Sequence, residues 1–107
     1  MNGLFGWFRS AEEKLRTLTA ELTTTTSVSD KAVRRWTDLM KKTDGRFLKE
    51  VLSEEIWKDN PGVGRRLIDA LPENIKRREG EYLGTLMTRL TQLLLKQGAG
   101  NKFKLKK

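Results

Sequence analysis

Two residue types are missing from this chain altogether, cysteine and histidine. Without cysteine there are no disulfides and no thiolate chemistry, and a reducing compartment is consistent. Without histidine the chain also lacks the commonest general base, and the two absences together remove the commonest metal ligands. The paired acids that remain, Glu12–Glu13 and Glu54–Glu55, come with no nucleophile and no glycine-rich phosphate loop. Neither an enzyme nor a cofactor or metal is therefore expected. Long apolar runs are lacking too, since no stretch approaches the ~20 residues that span a bilayer. The opening residues, Met1 to Phe8, are too short for a signal peptide and run at once into charge. Asn2 stands where the myristoylation pattern needs glycine, and the last residues match neither the peroxisomal nor the usual ER-retention ending. The expected location is cytoplasmic, or nuclear in a eukaryotic or viral setting, and not secreted.

What is present is charge. Of 107 residues, 36% are apolar and 34% charged, so a core forms only if the apolar residues are placed periodically. The 22 basic residues outnumber the 14 acidic ones, giving +8 and a pI near 10.1. That excess attracts polyanions: nucleic acid, an anionic membrane surface or an acidic protein. The length allows one domain.

The periodicity predicts an all-α fold, a small helical bundle of three longer helices plus one or two short ones, with a basic flexible C-terminal tail. Ser10-Ala11-Glu12-Glu13 reads as a capping box. Ala11, Leu15, Leu18 and Leu22 follow as one stripe. The Thr23–Ser27 run ends that helix, because consecutive β-branched residues and their hydroxyls compete with helical backbone. Residues 23–29 are thus expected as a linker and as the flexible point of the chain. A second helix starts at Ser29 or Asp30 and carries Ala32, Val33, Trp36, Leu39 and Met40 to the Thr43-Asp44-Gly45 turn signal. A third segment, 46–58, carries Phe47, Leu48, Val51, Leu52, Ile56 and Trp57, and Gly45 either breaks or only bends the join. Gly62-Val63-Gly64 reads as a plain turn before a short helix over 65–71. Pro72 fits the first turn of a last helix reaching Gln97, with Ile75, Tyr82, Leu83, Leu86, Met87, Leu90, Leu93 and Leu94 on one broad face. That helix is expected at the centre of the bundle, with 30–43 and 46–58 against it. The broad face over 75–94 suggests a homodimer. Close approach of a neighbouring helix would explain Gly80 and Gly84. Three regions result: an aromatic segment 1–9, a helical domain 10–100 and a basic disordered tail 101–107.

The segment 31–49 carries the functional signal. At about 100° per residue, Lys31, Arg34, Arg35, Lys41, Lys42, Arg46 and Lys49 fall within about 140° of one another, opposite the apolar set. Seven cations against Asp38 and Asp44 give a net +5. On one continuous helix they would form a ladder roughly 28 Å long at 1.5 Å per residue. The alternative is an ordinary solvated face, but such faces mix signs at i, i+4. The tail adds Lys102, Lys104, Lys106 and Lys107, as a nucleic-acid arm or an anionic-surface tether. A secondary basic cluster comprises Arg65, Arg66, Lys76, Arg77 and Arg78, offset by Asp69, Glu73 and Glu79. Phe5, Trp7 and Phe8 either cap the core or meet a membrane or partner. Trp36 and Trp57 sit at core spacing.

The function expected is sequence-independent nucleic-acid binding by a small accessory or regulatory protein of viral or phage type. A duplex, for example of RNA, is preferred to a single strand because the cationic helix is long and rigid and exposed aromatics are scarce, and the residues leave RNA and DNA both open. The alternatives are a helical adaptor or inhibitor docking on an acidic host protein, and a peripheral membrane protein using the aromatic N-terminus with the basic tail.

Overall fold

The computed structural model describes the backbone of residues 3–106 and the side chains of residues 10–97. The elements are α1 (Gly3–Thr23), α2 (Asp30–Lys42), α3 (Leu48–Val51), α4 (Glu54–Trp57), α5 (Pro61–Asp69), α6 (Glu73–Arg78) and α7 (Gly80–Lys106), with no strand among the described residues. None of these helices is long and apolar enough to cross a membrane.

α1 begins ahead of the capping box expected at Ser10, which lies inside the helix, and Glu12 pairs with Arg16 one turn on. The apolar stripe is used as its spacing predicts, with Ala11, Leu15 and Leu22 buried and Leu18 half-buried. Its end is made by threonines. The Thr23 hydroxyl donates to Ala20 O at 2.6 Å, and those of Thr24 and Thr25 donate to Glu21 O at 3.0 Å. The connection over 24–29 is not the loose linker expected. Asn60 Nδ2 donates to Leu22 O (2.9 Å) and Thr25 O (2.8 Å), and Arg66 donates to Val28 O (2.6 Å) while pairing with Asp30. Both clamps come from beyond residue 59, so local sequence carries no sign of them.

α2 starts at the expected cap: Ser29 is extended (φ −79°, ψ 156°) and its hydroxyl accepts from Ala32 N at 3.1 Å. Asp30 in its first turn and Lys41 and Lys42 in its last complement the helix dipole. Val33, Trp36, Leu39 and Met40 are buried. The indole N–H of Trp36 donates to Thr19 Oγ1 at 3.0 Å, so both buried polar groups are satisfied.

Gly45 breaks the helix outright. Asp44 (φ 53°) and Gly45 (φ 69°) are consecutive left-handed residues, and Gly45 N donates to Met40 O at 3.0 Å, the closure of a helix C-terminus. The segment expected as one helix over 46–58 is two single turns, α3 and α4. Leu52 is extended between them (φ −125°, ψ 92°), and the Ser53 hydroxyl accepts from Ile56 N at 3.4 Å to start α4. Two side chains satisfy the carbonyls released there: buried Trp57 Nε1 donates to Val51 O (2.8 Å) and partly buried Tyr82 Oη to Leu52 O (2.7 Å).

Gly62-Val63-Gly64 is not the plain turn expected, since these residues form the first turn of α5 behind Pro61 at its N-terminus. A Cβ on Gly64 would lie 3.0 Å from both Leu90 Cδ1 and Trp57 Cβ, so glycine lets α5 approach α4 and α7 closely. The expected helix over 72–97 divides at Glu79 (φ −108°, ψ 28°), next to Gly80. Pro72 caps α6 from outside rather than sitting in its first turn. Nothing lies within 4 Å of a Cβ built on Gly80 or Gly84, so neither glycine serves a close helix contact among the described residues.

α7 packs chiefly against α5, with α4 and α6 beside it, whereas α2 packs chiefly against α1. Leu83, Leu86 and Leu90 are buried and Tyr82, Met87 and Leu93 partly so. Packing within the chain therefore uses much of the face whose width suggested a second copy. α7 is helical to Lys106, past the glycines at 98 and 100, each of which weakens a helix by only about 1 kcal/mol. The tail side chains lie outside the described residues. The two glycine environments give opposite predictions for unfolding in urea. Gly64→Ala should lower the unfolding free energy by about 1–3 kcal/mol through overpacking, and Gly84→Ala should raise it by about 0.5–1 kcal/mol.

Candidate nucleic-acid interface

Because α2 stops at Lys42, the basic ladder is shorter than a continuous helix would make it and is split in two. Lys31, Arg34, Arg35, Lys41 and Lys42 remain together on α2. They span about 120° of its wheel and about 17 Å of its length. All five are exposed, and none of their side chains makes a hydrogen bond or ion pair among the described residues. Asp38 lies among them, equally exposed and equally unpaired. The buried side of the same helix holds Trp36 and Met40 with no exposed surface, which fixes the direction the basic face looks. On one flank Arg35 borders α1 across a shallow concavity of about 230 Å³ that Glu13, Lys14 and Glu21 also line.

Arg46 and Lys49 follow the left-handed turn and leave the α2 ladder. Both are exposed and line a concavity of about 580 Å³ with Asp44, Glu50, Arg78 and Glu79. Lys49 Nζ sits 5.2 Å from the centre of the Tyr82 ring, a cation–π contact. Burial pushes the Tyr82 phenol above its ordinary pKa, and its hydroxyl donates to Leu52 O. Lys49 also lines a concavity with Arg77 and Arg78 around the start of α7, where Glu79 and Glu81 offset part of the charge.

The secondary cluster is divided between two helices, Arg65 and Arg66 on α5 and Lys76, Arg77 and Arg78 on α6. Two of its members hold the fold. Arg66 clamps the α1–α2 connection as described. Arg78 Nη2 donates to Asp44 O at 2.7 Å, with further ion pairs at 3.6 Å to Asp44 and Glu79. Arg65 is half-buried, its Nε enclosed without a partner. Elsewhere, Arg16 pairs with Glu50 (2.6 Å), Lys58 with Glu55 (3.1 Å), Arg89 with Glu54 (3.6 Å) and Lys76 with Glu73 (3.7 Å). The hydrogen bond to Glu55 is the main reason the Lys58 pKa lies above its usual value.

Trp36 and Trp57 are enclosed in the core and offer no face to a base. Phe5, Trp7 and Phe8, and Lys102, Lys104, Lys106 and Lys107, have side chains outside the described residues. Among the described residues no cluster of acids could hold a metal ion. No protein-family model matches the chain, and no curated protein or solved structure does.

The division between structural and solvent-facing cations is measurable by thermal unfolding. Arg78→Ala should cost about 1 kcal/mol by releasing the Asp44 carbonyl and its ion pairs, a modest figure because the side chain is half exposed. Arg35→Ala should stay within about 0.5 kcal/mol of the native chain.

Proposed function

We propose that this chain is a non-enzymatic accessory protein that binds duplex nucleic acid without sequence preference, through the exposed face of α2. One observation carries the reading. Lys31, Arg34, Arg35, Lys41 and Lys42 stand together with no ion pair among the described residues, while Arg16, Arg66, Arg78, Arg89, Lys58 and Lys76 each have an acid. Five cations on one rigid helix, anchored from behind by Trp36 and Met40, match a run of phosphates. A duplex is favoured over a single strand because base stacking needs exposed aromatic faces. Among the described residues, Trp36 and Trp57 are enclosed, and Phe47 and Tyr82 are partly buried.

If all five cations meet phosphates, log K should fall against log salt with a slope of about −4.5 on a duplex. Reversing Arg34, Arg35, Lys41 and Lys42 to Glu should abolish binding in a gel-shift assay. A flat salt response, or unchanged binding by the reversed variant, would contradict the proposal. A stoichiometric protein captured through this face after nuclease treatment would assign it to an acidic protein instead.

A further inference from the structure

The five α2 cations fall into two rows. Lys31, Arg35 and Lys42 lie within about 40° of one another on the helical wheel, and Arg34 and Lys41 form a second row about a quarter-turn away. Asp38 occupies the gap between the rows, exposed and without a hydrogen bond or ion pair among the described residues. Arg34 and Lys42 stand one turn before and after it, at the spacing where helix ion pairs form, yet neither pairs with it. Its side chain is short where lysine and arginine are long. The carboxylate therefore lies at the floor of the face, and the cations reach past it. A carboxylate there is repelled by phosphates unless it meets a donor.

The rest of the face defines what that donor is. Within the wheel limits of the five cations, Asp38 is the only other residue of α2. No Asn, Gln, Ser or Thr stands there to read base edges. For contact without sequence preference, a donor matched to Asp38 must occur on every nucleotide. The phosphates and deoxyriboses of DNA carry acceptors only. Every ribose of RNA carries a 2′-hydroxyl, which donates as well as accepts, and an RNA duplex displays these hydroxyls along its wide, shallow minor groove.

Building on the function proposed above, we infer that Asp38 selects RNA over DNA. The two cationic rows hold phosphates on either side of the minor groove of an RNA duplex, and Asp38 accepts a hydrogen bond from a 2′-hydroxyl between them. On DNA the same carboxylate meets no donor and weakens binding.

The test is equilibrium binding of the full chain, by fluorescence anisotropy, to three duplexes of one sequence. These are RNA, 2′-fluoro RNA and DNA; the fluoro duplex keeps A-form geometry and phosphate charge but lacks the donor. The native chain should prefer RNA to the fluoro duplex by about five- to tenfold. Asp38→Ala, an exposed change toward a better helix former, should bring that ratio close to one and tighten binding to the fluoro and DNA duplexes. Equal binding of RNA and fluoro RNA by the native chain, or an unchanged ratio in D38A, would overturn the role of Asp38 while leaving the basic face in place. Failure to bind any duplex would overturn the basic face itself, and this inference with it.

Discussion

At Gly45 the chain takes its second consecutive left-handed residue, and a Cβ there would lie 2.8 Å from Arg78 Nη2 and 3.3 Å from Ile75 Cδ1. Much else depends on that turn. It ends α2 at Lys42, sends Arg46 and Lys49 off the α2 axis, and brings α6 against the reversal. Arg78 closes it through the Asp44 carbonyl. Any side chain at Gly45 would meet both a disfavoured φ and a crowded site. A straight helix through this point would have kept all seven cations on one axis. The turn instead leaves five on α2 and moves the others beside Arg77, Arg78 and their balancing acids.

The cations of this small protein include two groups with different surroundings. Arg66 and Arg78 are fixed by backbone carbonyls and acids, and they hold a connection and a turn in place. Such contacts leave those arginines few donors for a ligand. The α2 cations have the opposite situation, with no side-chain partner among the described residues and a buried apolar side holding them outward. Net charge alone separates neither group from the other. Their hydrogen bonds do.

The helices with a strong apolar period were legible from the residues. α2 and its Ser29 cap, the α1 stripe and the buried leucines over 83–90 all sit where the period of 3.6 places them. The breaks were less legible. Residues 46–57 keep a helical period throughout, yet Ser53 caps a new turn, because Trp57 and Tyr82 can satisfy the carbonyls that the break exposes. Those donors arrive from six and thirty positions further along the chain, beyond the reach of a local pattern. The Asn60 and Arg66 clamps escaped for the same reason. On the candidate site, the five α2 cations were visible as one face. Asp38 was visible only as an interruption, because its meaning depends on Arg34 and Lys42 leaving it unpaired.

If the outward face of α2, rather than the basic surface at large, meets the nucleic acid, a bound duplex shields the lysines of that face. Lysine-reactivity footprinting of the full chain with and without duplex RNA tests this most directly, because lysines occur both on that face and in ion pairs elsewhere. Protection of Lys31, Lys41 and Lys42, with Lys58 and Lys76 unchanged, is the predicted result. Protection centred on Lys58 or Lys76, with α2 still reactive, would contradict it.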